Sequence, residues 1–485
     1  MNVALLILTP LIVASLLFFT RTLSRRLVES ISVLSGIIEL YAALAISFSW
    51  GDQSNTLFSS FLTFDALASW FLFIVALLGS LALWYSVSYL QREVPDAADE
   101  MKVRKYFAFL QLFIFAMFVA VSANNALLLW IAVEATTLCS AFLVNFFDKP
   151  AAIEAAWKYL IINTIGLLLG LFGVFIFIAV VEHTTAAVAS SLNWNSIMEI
   201  ADQLDVSLIK LAFAFMVIGY GTKAGLAPLH NWLPEAHSQA PAPVSALLSG
   251  ALLNVAILAL LRFKVIVDVT AGVHFTETIF LAFGTSSIVI ASVMILIQKQ
   301  YKRLLAYSSV EHMGIIVFGL GAGGLAAVAA LLHALYHSLA KTLLFFASGN
   351  IALRYHESEI SRIRVLLRVL PVTGVLFFAG ILAVAGIPPF GTFLTEFAIF
   401  ATGFRVHPVY TVIALMALSV AVAGLLRHLS STCFGTLDEH ASQKRGEDSM
   451  VSVAPLIILF VLLVILSIFQ PTALSALLTL ASKGL

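Results

Sequence analysis

GTKAGLAPLHNWLPEAHSQAPAP, residues Gly221–Pro243, lies between LIKLAFAFMVIGY and VSALLSGALLNVAILALL, two runs of membrane-helix character. It carries Lys223, His230, Glu235 and His237 together with Pro228, Pro234, Pro241 and Pro243. Each proline removes a backbone donor and crowds the preceding turn, so a helix cannot run through the stretch unbroken. Unwound backbone at membrane depth is tolerated only where it is buried in protein or faces water. The stretch therefore predicts a broken helix with its polar groups turned into a bundle. A second interruption, GIPPFGTFLTEF (Gly386–Phe397), holds Pro388 and Pro389 with Glu396 just beyond. Two proline-interrupted spans in two halves of one chain point to an inverted-repeat transporter with its site at the breaks.

The rest of the chain fits that frame. Of its 485 residues 61% are hydrophobic and only 11% charged, whereas a globular protein carries about 25% charged residues. Apolar runs near 20 residues recur along the whole length, each able to cross a hydrocarbon core of roughly 30 Å. The expected fold class is an all-α polytopic membrane protein with about fourteen transmembrane helices, broken within 207–230 and 370–402. Membrane β-barrels are excluded, since their strands alternate over about ten residues. The apolar run at residues 3–20 is followed, not preceded, by Arg21, Arg25 and Arg26. That order predicts a retained first helix, not a cleaved signal.

Function classes are excluded in the same way. A net charge of zero and no basic arm give no surface for nucleic acid. Cys139 and Cys433 are the only cysteines, too few for an iron–sulfur cluster. No Gly-rich nucleotide loop and no metal-spaced Cys/His cluster is visible. The expectation is no cofactor, no metal and no catalytic centre of the chain's own.

Basic residues divide unevenly between the two sets of loops. Eighteen fall on one side, among them Arg21, Arg92, Lys102, Lys302, Arg354 and Lys444, and five on the other, Lys210, Arg262, Lys264, Arg405 and Lys483. The positive-inside rule then puts both termini on the outer side. The three that remain, Lys158, Lys223 and Lys341, lie within spans. A lysine at the centre of a membrane helix costs at least about 2.5–3.5 kcal/mol unless it faces a partner or water. Glu134, Glu311 and Glu396 are the carboxylates expected to meet these lysines. A static structural pin is the plain reading of one such pair. Six buried charges spread over several spans, joined by histidines, point instead to a proton or ion path, because burial and an opposite neighbour shift each pKa in opposing directions.

HALYHSLAK sharpens this. His333, His337 and Lys341 recur at i, i+4 and i+8, one stripe of one helix. Imidazole accepts on one nitrogen and donates from the other, which suits a relay; metal binding by His333 and His337 is the rival reading.

GTKAGLAPLHNWLPEAHSQAPAPVSALLSG, KRLLAYSSVEHMG and GIPPFGTFLTEF together resemble the antiporter-like subunits shared by respiratory complex I, Mrp-type cation/proton antiporters and energy-converting membrane hydrogenases. EATTLCSAFLVNF, SSVEHMGI and LLNVAILALLRF look most like the F-type subunit of hydrogenase-four and its group 4 relatives. The resemblance covers nearly the whole chain. It implies an N-terminal three-helix region (1–104), two inverted five-helix repeats (105–262 and 275–434) and a C-terminal helix (451–485). It also implies half-channels meeting on a central polar axis. Carried over by motif, Glu134 is the glutamate of the fifth helix, Lys158 the lysine of the sixth, Lys223 that of the broken seventh and Glu396 the ionisable residue of the broken twelfth. Lys341 and His312 likewise match family positions. One departure stands out: where members commonly carry a lysine in the eighth helix, this chain has Asn254, so a relay there needs water or a neighbour such as His237.

These residues imply a proton-translocating subunit of a redox-driven ion-pumping complex in a bacterial or archaeal cytoplasmic membrane, of the group 4, formate hydrogenlyase-like kind. Its implied partners are other antiporter-like subunits, a peripheral electron-transfer or hydrogenase arm, membrane lipid, and protons or sodium. A sodium/proton exchanger of the Mrp type, a complex I-type NADH-quinone oxidoreductase subunit and a purely structural scaffold remain alternatives.

Overall fold

The protein is described from a computed structural model, which covers residues 1–20, 22–48, 61–95, 100–185, 192–434, 445–447 and 449–485. Arg21 and Lys444, two of the basic residues counted above, lie outside them. Among the described residues thirteen helices are long and apolar enough to cross a membrane. They are α1 (Asn2–Phe19), α2 (Arg25–Phe48), α3 (Ala66–Glu93), α4 (Glu100–Ser122), α5 (Ala126–Val144), α6 (Pro150–Thr184), α7 (Val206–Lys223), α9 (Ala242–Ala271), α10 (Val273–Ile297), α11 (Tyr301–Ala322), α12 (Leu325–Tyr355), α15 (Pro408–Phe434) and α16 (Met450–Ile468). The short α8 (Trp232–Gln239) completes the crossing begun by α7, and α13 (Pro371–Val384) with α14 (Gly391–Val406) forms a further broken one; α17 (Thr472–Ala481) follows.

Helix starts follow local chemistry. Asp65, Asn125 and Asp205 each stand at an N-cap and accept from the backbone N–H three residues on, at 2.8, 2.7 and 2.8 Å, satisfying a donor that has no partner in the first turn. Pro150 and Pro371 occupy first helical positions, where the missing N–H costs nothing.

Packing is close where side chains vanish. Gly166, Gly170 and Gly173 of α6 face α7, and a Cβ placed on Gly219 would come 2.6 Å from the Cα of Gly170. The two backbones therefore touch, as small residues allow between helices in lipid. α9 and α11 are buried along their whole apolar length, and α15 is the most exposed of the spans. α3 packs into the centre as well: Trp70 Nε1 donates to Leu331 O (3.2 Å) and the Tyr85 hydroxyl to Phe346 O (2.8 Å), both on α12.

The loops sort into two ends. At one, Arg25 donates to Val94 O (2.6 Å), Arg104 to Thr20 O (2.7 Å), Lys302 to Ala240 O (3.0 Å), and Arg303 pairs with Glu235 (2.9 Å). At the other, Arg262 forms a bidentate pair with Asp65, and Trp194 Nε1 donates to Ala123 O (2.8 Å). The basic loops assigned to one side thus contact one another.

Candidate functional site

Both expected interruptions are present, and both are built from the same backbone. At the first, Ala224, Gly225 and Leu226 donate to Tyr220, Thr222 and Gly221 at 2.7, 3.0 and 2.9 Å. At the second, Ala385, Gly386 and Ile387 donate to Ile381, Ala383 and Leu382 at 2.9, 3.2 and 3.1 Å. Each pattern closes a helix C-terminus through a left-handed glycine, Gly225 (φ +70°) or Gly386 (φ +61°). The peptide bonds before Pro228 and Pro389 are cis. The carbonyl of the penultimate residue of the first half-helix also accepts from the second half-helix each time. Trp232 Nε1 donates to Thr222 O (2.8 Å), and the Thr392 hydroxyl to Ala383 O (2.5 Å).

The breaks start where the sequence places them, but the half-helices differ from the expected limits. The first crossing resumes only at Trp232 and ends at Gln239, past the expected 230, and Pro234 sits inside α8. A proline in a helix's first turn forfeits a hydrogen bond that turn could not make. The two charged residues also sit differently about their breaks. Lys223 closes α7, before the first break, whereas Glu396 lies within α14, after the second.

Around Lys223 the site is built of hydroxyls. The side chain is fully buried, and Nζ donates to Thr137 Oγ1 (2.8 Å) and to the Tyr159 hydroxyl (2.9 Å). Thr137 lies 3.3 Å from Glu134 Oε2, Thr164 donates to Glu134 Oε1 (3.0 Å), and Tyr159 and Ser140 share a bond of 2.6 Å. The sequence leads one to expect Glu134 to meet a buried lysine directly, but among the described residues no ion pair joins it to Lys223; a threonine hydroxyl stands between them. Sequence reading missed Thr137, Thr164 and Tyr159. For Thr137 a signal exists, since it follows Glu134 by three residues and shares its helix face.

The second centre gathers His312 of α11, His333 of α12 and the broken α13–α14. His312 Nδ1 lies 2.8 Å from His333 Nε2, His312 Nε2 lies 3.0 Å from Val384 O, and His333 Nδ1 lies 2.8 Å from Thr395 Oγ1. All are buried. Val384 O can only accept, so His312 Nε2 carries a proton and the neutral ring presents a bare Nδ1 to His333. The ring of His337 is centred 5.1 Å from that of His312. Lys341 donates to Leu305 O (3.0 Å), and Glu311 of α11 is buried as well.

Between the centres α9 carries a π-turn, Leu248–Leu252, which turns carbonyls out of the regular ladder. His337 Nε2 lies 3.4 Å from Ser249 O; Asn254 Nδ2 donates to Gly250 O (3.0 Å) and to Ser338 Oγ (2.7 Å). Asn254 Oδ1, both ring nitrogens of His237, His337 Nδ1, Thr342 Oγ1, Glu311 Oε2 and Glu396 Oε1 are buried without a hydrogen-bond partner among the described residues. Leaving such a group unsatisfied costs about 1–3 kcal/mol, so a seam of this polarity favours hydration.

Two expected residues stand apart. Lys158 pairs with Glu154 (2.6 Å), both about half exposed on the outer face of α6, because its position on α6 turns it away from the axis. His230 is buried beside Tyr307, with ring centroids 5.9 Å apart, within the first break and just ahead of α8. Sequence reading also missed Glu39, a carboxyl of α2 with 1% exposure and Oε1 unpartnered. It sits among Ser35 and Gln111, which bond each other at 2.5 Å.

The comparisons with known proteins agree with this architecture. Residues 123–423 match the family described as NADH:quinone oxidoreductase/Mrp antiporter, TM. The chain is 34% identical over 453 residues to a hydrogenase-4 component F homolog of Methylacidiphilum infernorum (isolate V4), covering 93% of this chain and 92% of that one. It is also 34% identical over 334 residues to NADH-quinone oxidoreductase subunit N of Desulforudis audaxviator (strain MP104C), covering 68% and 63% of the two chains. Its fold matches a chain in the structure of the membrane-bound sulfane sulfur reductase, an archaeal respiratory membrane complex, with a TM-score of 0.87 at 21% identity over 100% of this chain and 98% of that one. The chain is a polytopic membrane protein of the NADH:quinone oxidoreductase/Mrp antiporter family, an antiporter-like subunit of the kind found in complex I, Mrp antiporters and group 4 hydrogenases.

Proposed function

We propose that this chain translocates protons as an antiporter-like membrane subunit of a redox-driven pumping complex of the group 4 membrane-bound hydrogenase, formate hydrogenlyase-like, kind. The observation that carries this reading is the buried polar seam. Glu134, Thr137 and Lys223 form one hydrogen-bonded centre and His312, His333 and Thr395 a second, with His337, Lys341 and Glu396 buried too. The π-turn of α9 meets His337, and in this reading protons cross between the two centres beside it. Similarity to a hydrogenase-4 component F homolog over 93% of the chain supports the choice of complex.

In this mechanism the Lys223 ammonium is held by Thr137 and Tyr159. A charge arriving from a neighbouring subunit displaces the Thr137 hydroxyl between Glu134 and Lys223, and Lys223 releases its proton into the seam. His337, His312 and His333 pass it on by accepting at one nitrogen and releasing from the other. Glu396 delivers it to the far side. The polarity of the loops supports both termini lying on the outer side of a cytoplasmic membrane. Further antiporter-like subunits, a peripheral electron-transfer arm and membrane lipid are its partners in this reading.

Lys223→Ala tests it. The expected result is loss of proton pumping in inverted membrane vesicles with the complex still assembled; full pumping by that variant removes the proposal. A sodium/proton exchange reading is favoured by one feature. The π-turn of α9, Leu248–Leu252, turns carbonyls out of the helical ladder, and carbonyl oxygens are ligands that hard cations take. Pumping that requires sodium distinguishes it.

A further inference from the structure

We propose that His312, His333 and Glu396 form a binding site for a divalent transition-metal cation of the zinc class, and that a bound ion closes the relay. Helical spacing pairs His333 with His337, but the fold turns His333 towards His312 on the neighbouring helix. One ligand atom from each of His312, His333 and Glu396 lies within 4.8 Å of the others. Two imidazole nitrogens and one carboxylate, with a position left for water, form a donor set that zinc accepts.

The surroundings favour the ion as well. A metal-bound histidine usually donates its second ring N–H to an oxygen, which fixes its tautomer. His312 Nε2 has Val384 O at 3.0 Å, and His333 Nδ1 has Thr395 Oγ1 at 2.8 Å. Thr395 Oγ1 is itself 2.9 Å from Thr392 O. With an ion in place the Thr395 hydroxyl donates to that carbonyl and accepts from His333 Nδ1, so the proton that His333 Nε2 otherwise gives to His312 Nδ1 has left. Glu396 is 6% exposed and its Oε1 has no hydrogen-bond partner among the described residues.

The approach is also present. Glu396 borders a cavity of about 810 Å³ formed by the second break, α14 and α15; its lining is mostly apolar, Phe397, Phe400 and Leu418 among it, with Arg405 and Ser419 as further polar residues. Zinc–nitrogen bonds of about 2.0–2.1 Å set tetrahedral ligand nitrogens about 3.3 Å apart. The rings at 2.8 Å need to part by roughly 0.5 Å. An ion seated there replaces the proton shared by the two histidines, so the relay cannot pass it. That consequence rests on the transport reading above; the binding does not.

The experiment uses the assembled complex in detergent, stripped with chelator, titrated with zinc sulfate and separated from free ion before metal analysis. Wild type and the surface control His274→Gln are expected to hold one more zinc per chain than His333→Asn or Glu396→Gln. Equal zinc in all four overturns the site. Should Glu396→Gln fail to assemble, zinc X-ray absorption on the unaltered complex decides. A shell with two imidazoles and a carboxylate upholds the site, and a shell with fewer than two imidazoles removes it. Vesicles of wild type are expected to lose pumping as the site fills and to regain it with chelator; undiminished pumping at full occupancy overturns the closure. Full pumping by Lys223→Ala, in contrast, refutes transport through the seam and leaves the zinc count standing.

Discussion

Lys223 is fully buried, yet among the described residues its ammonium meets two hydroxyls and no carboxylate within ion-pair distance. A hydroxyl both accepts from the lysine and donates to the glutamate, so Thr137 couples the charges without locking them together. Thr137→Val removes that coupling at nearly constant volume. A hydrogen bond to a charged group is worth about 1.5–3 kcal/mol, and vesicle acidification is expected to fall at least about tenfold, with Thr137→Ser restoring most of it. Unchanged acidification in Thr137→Val would mean that Glu134 acts on Lys223 by another route. Glu39 makes a useful contrast: it is as buried as the axis residues but lies on α2, away from them. Glu39→Gln keeps the shape and is expected to leave pumping intact, measured in the same vesicles.

At the level of the element, the two breaks share a hydrogen-bond scheme but differ in what crowds their glycines. A Cβ on Gly225 meets nothing closer than 3.4 Å, whereas one on Gly386 would lie 2.1 Å from Glu396 Oε2. Both glycines have positive φ, so alanine at either costs roughly 1–2 kcal/mol of backbone strain. Gly386→Ala must also displace the carboxylate. The expected outcome is a modest fall in thermal midpoint for Gly225→Ala, and for Gly386→Ala a larger fall together with lost pumping. Equal falls in the two variants would show that Glu396 does not depend on the glycine to hold its place. The α6–α7 contact is tighter still, since Gly219 and Gly170 meet backbone to backbone. Gly219→Leu is expected to prevent assembly, read as loss of the complex in gel filtration.

Across the whole molecule, the ends of the bundle are tied by ion pairs while its centre is tied by hydroxyls, carbonyls and imidazoles. Burial alone would push the Asp65 carboxyl up, but Arg262 and the backbone N–H groups of Ala68 and Leu67 outweigh it and hold it below its ordinary value of 3.8. Because the folded value is depressed, the stabilisation is complete above the unfolded value and is lost as pH falls through the folded one. Thermal midpoints are expected to drop in that acidic window for wild type, and to drop less for Arg262→Gln. The number of spans, the two breaks and the residues beside them were legible in the sequence, because length, hydropathy and proline act locally: a lipid-spanning helix must close its own hydrogen bonds, and proline prevents that wherever it stands. Which histidine faces which was not legible. Spacing along α12 groups His333 with His337, but only the packing of α11 against α12, beside the carbonyl freed at Val384, sets His312 on His333. The same holds for Lys223, whose partners come from α5 and α6, and for Lys158, which a rotation of α6 leaves outside. Contacts between helices depend on the rotation of each about its own axis, and that is fixed by glycines and side chains far apart in the chain.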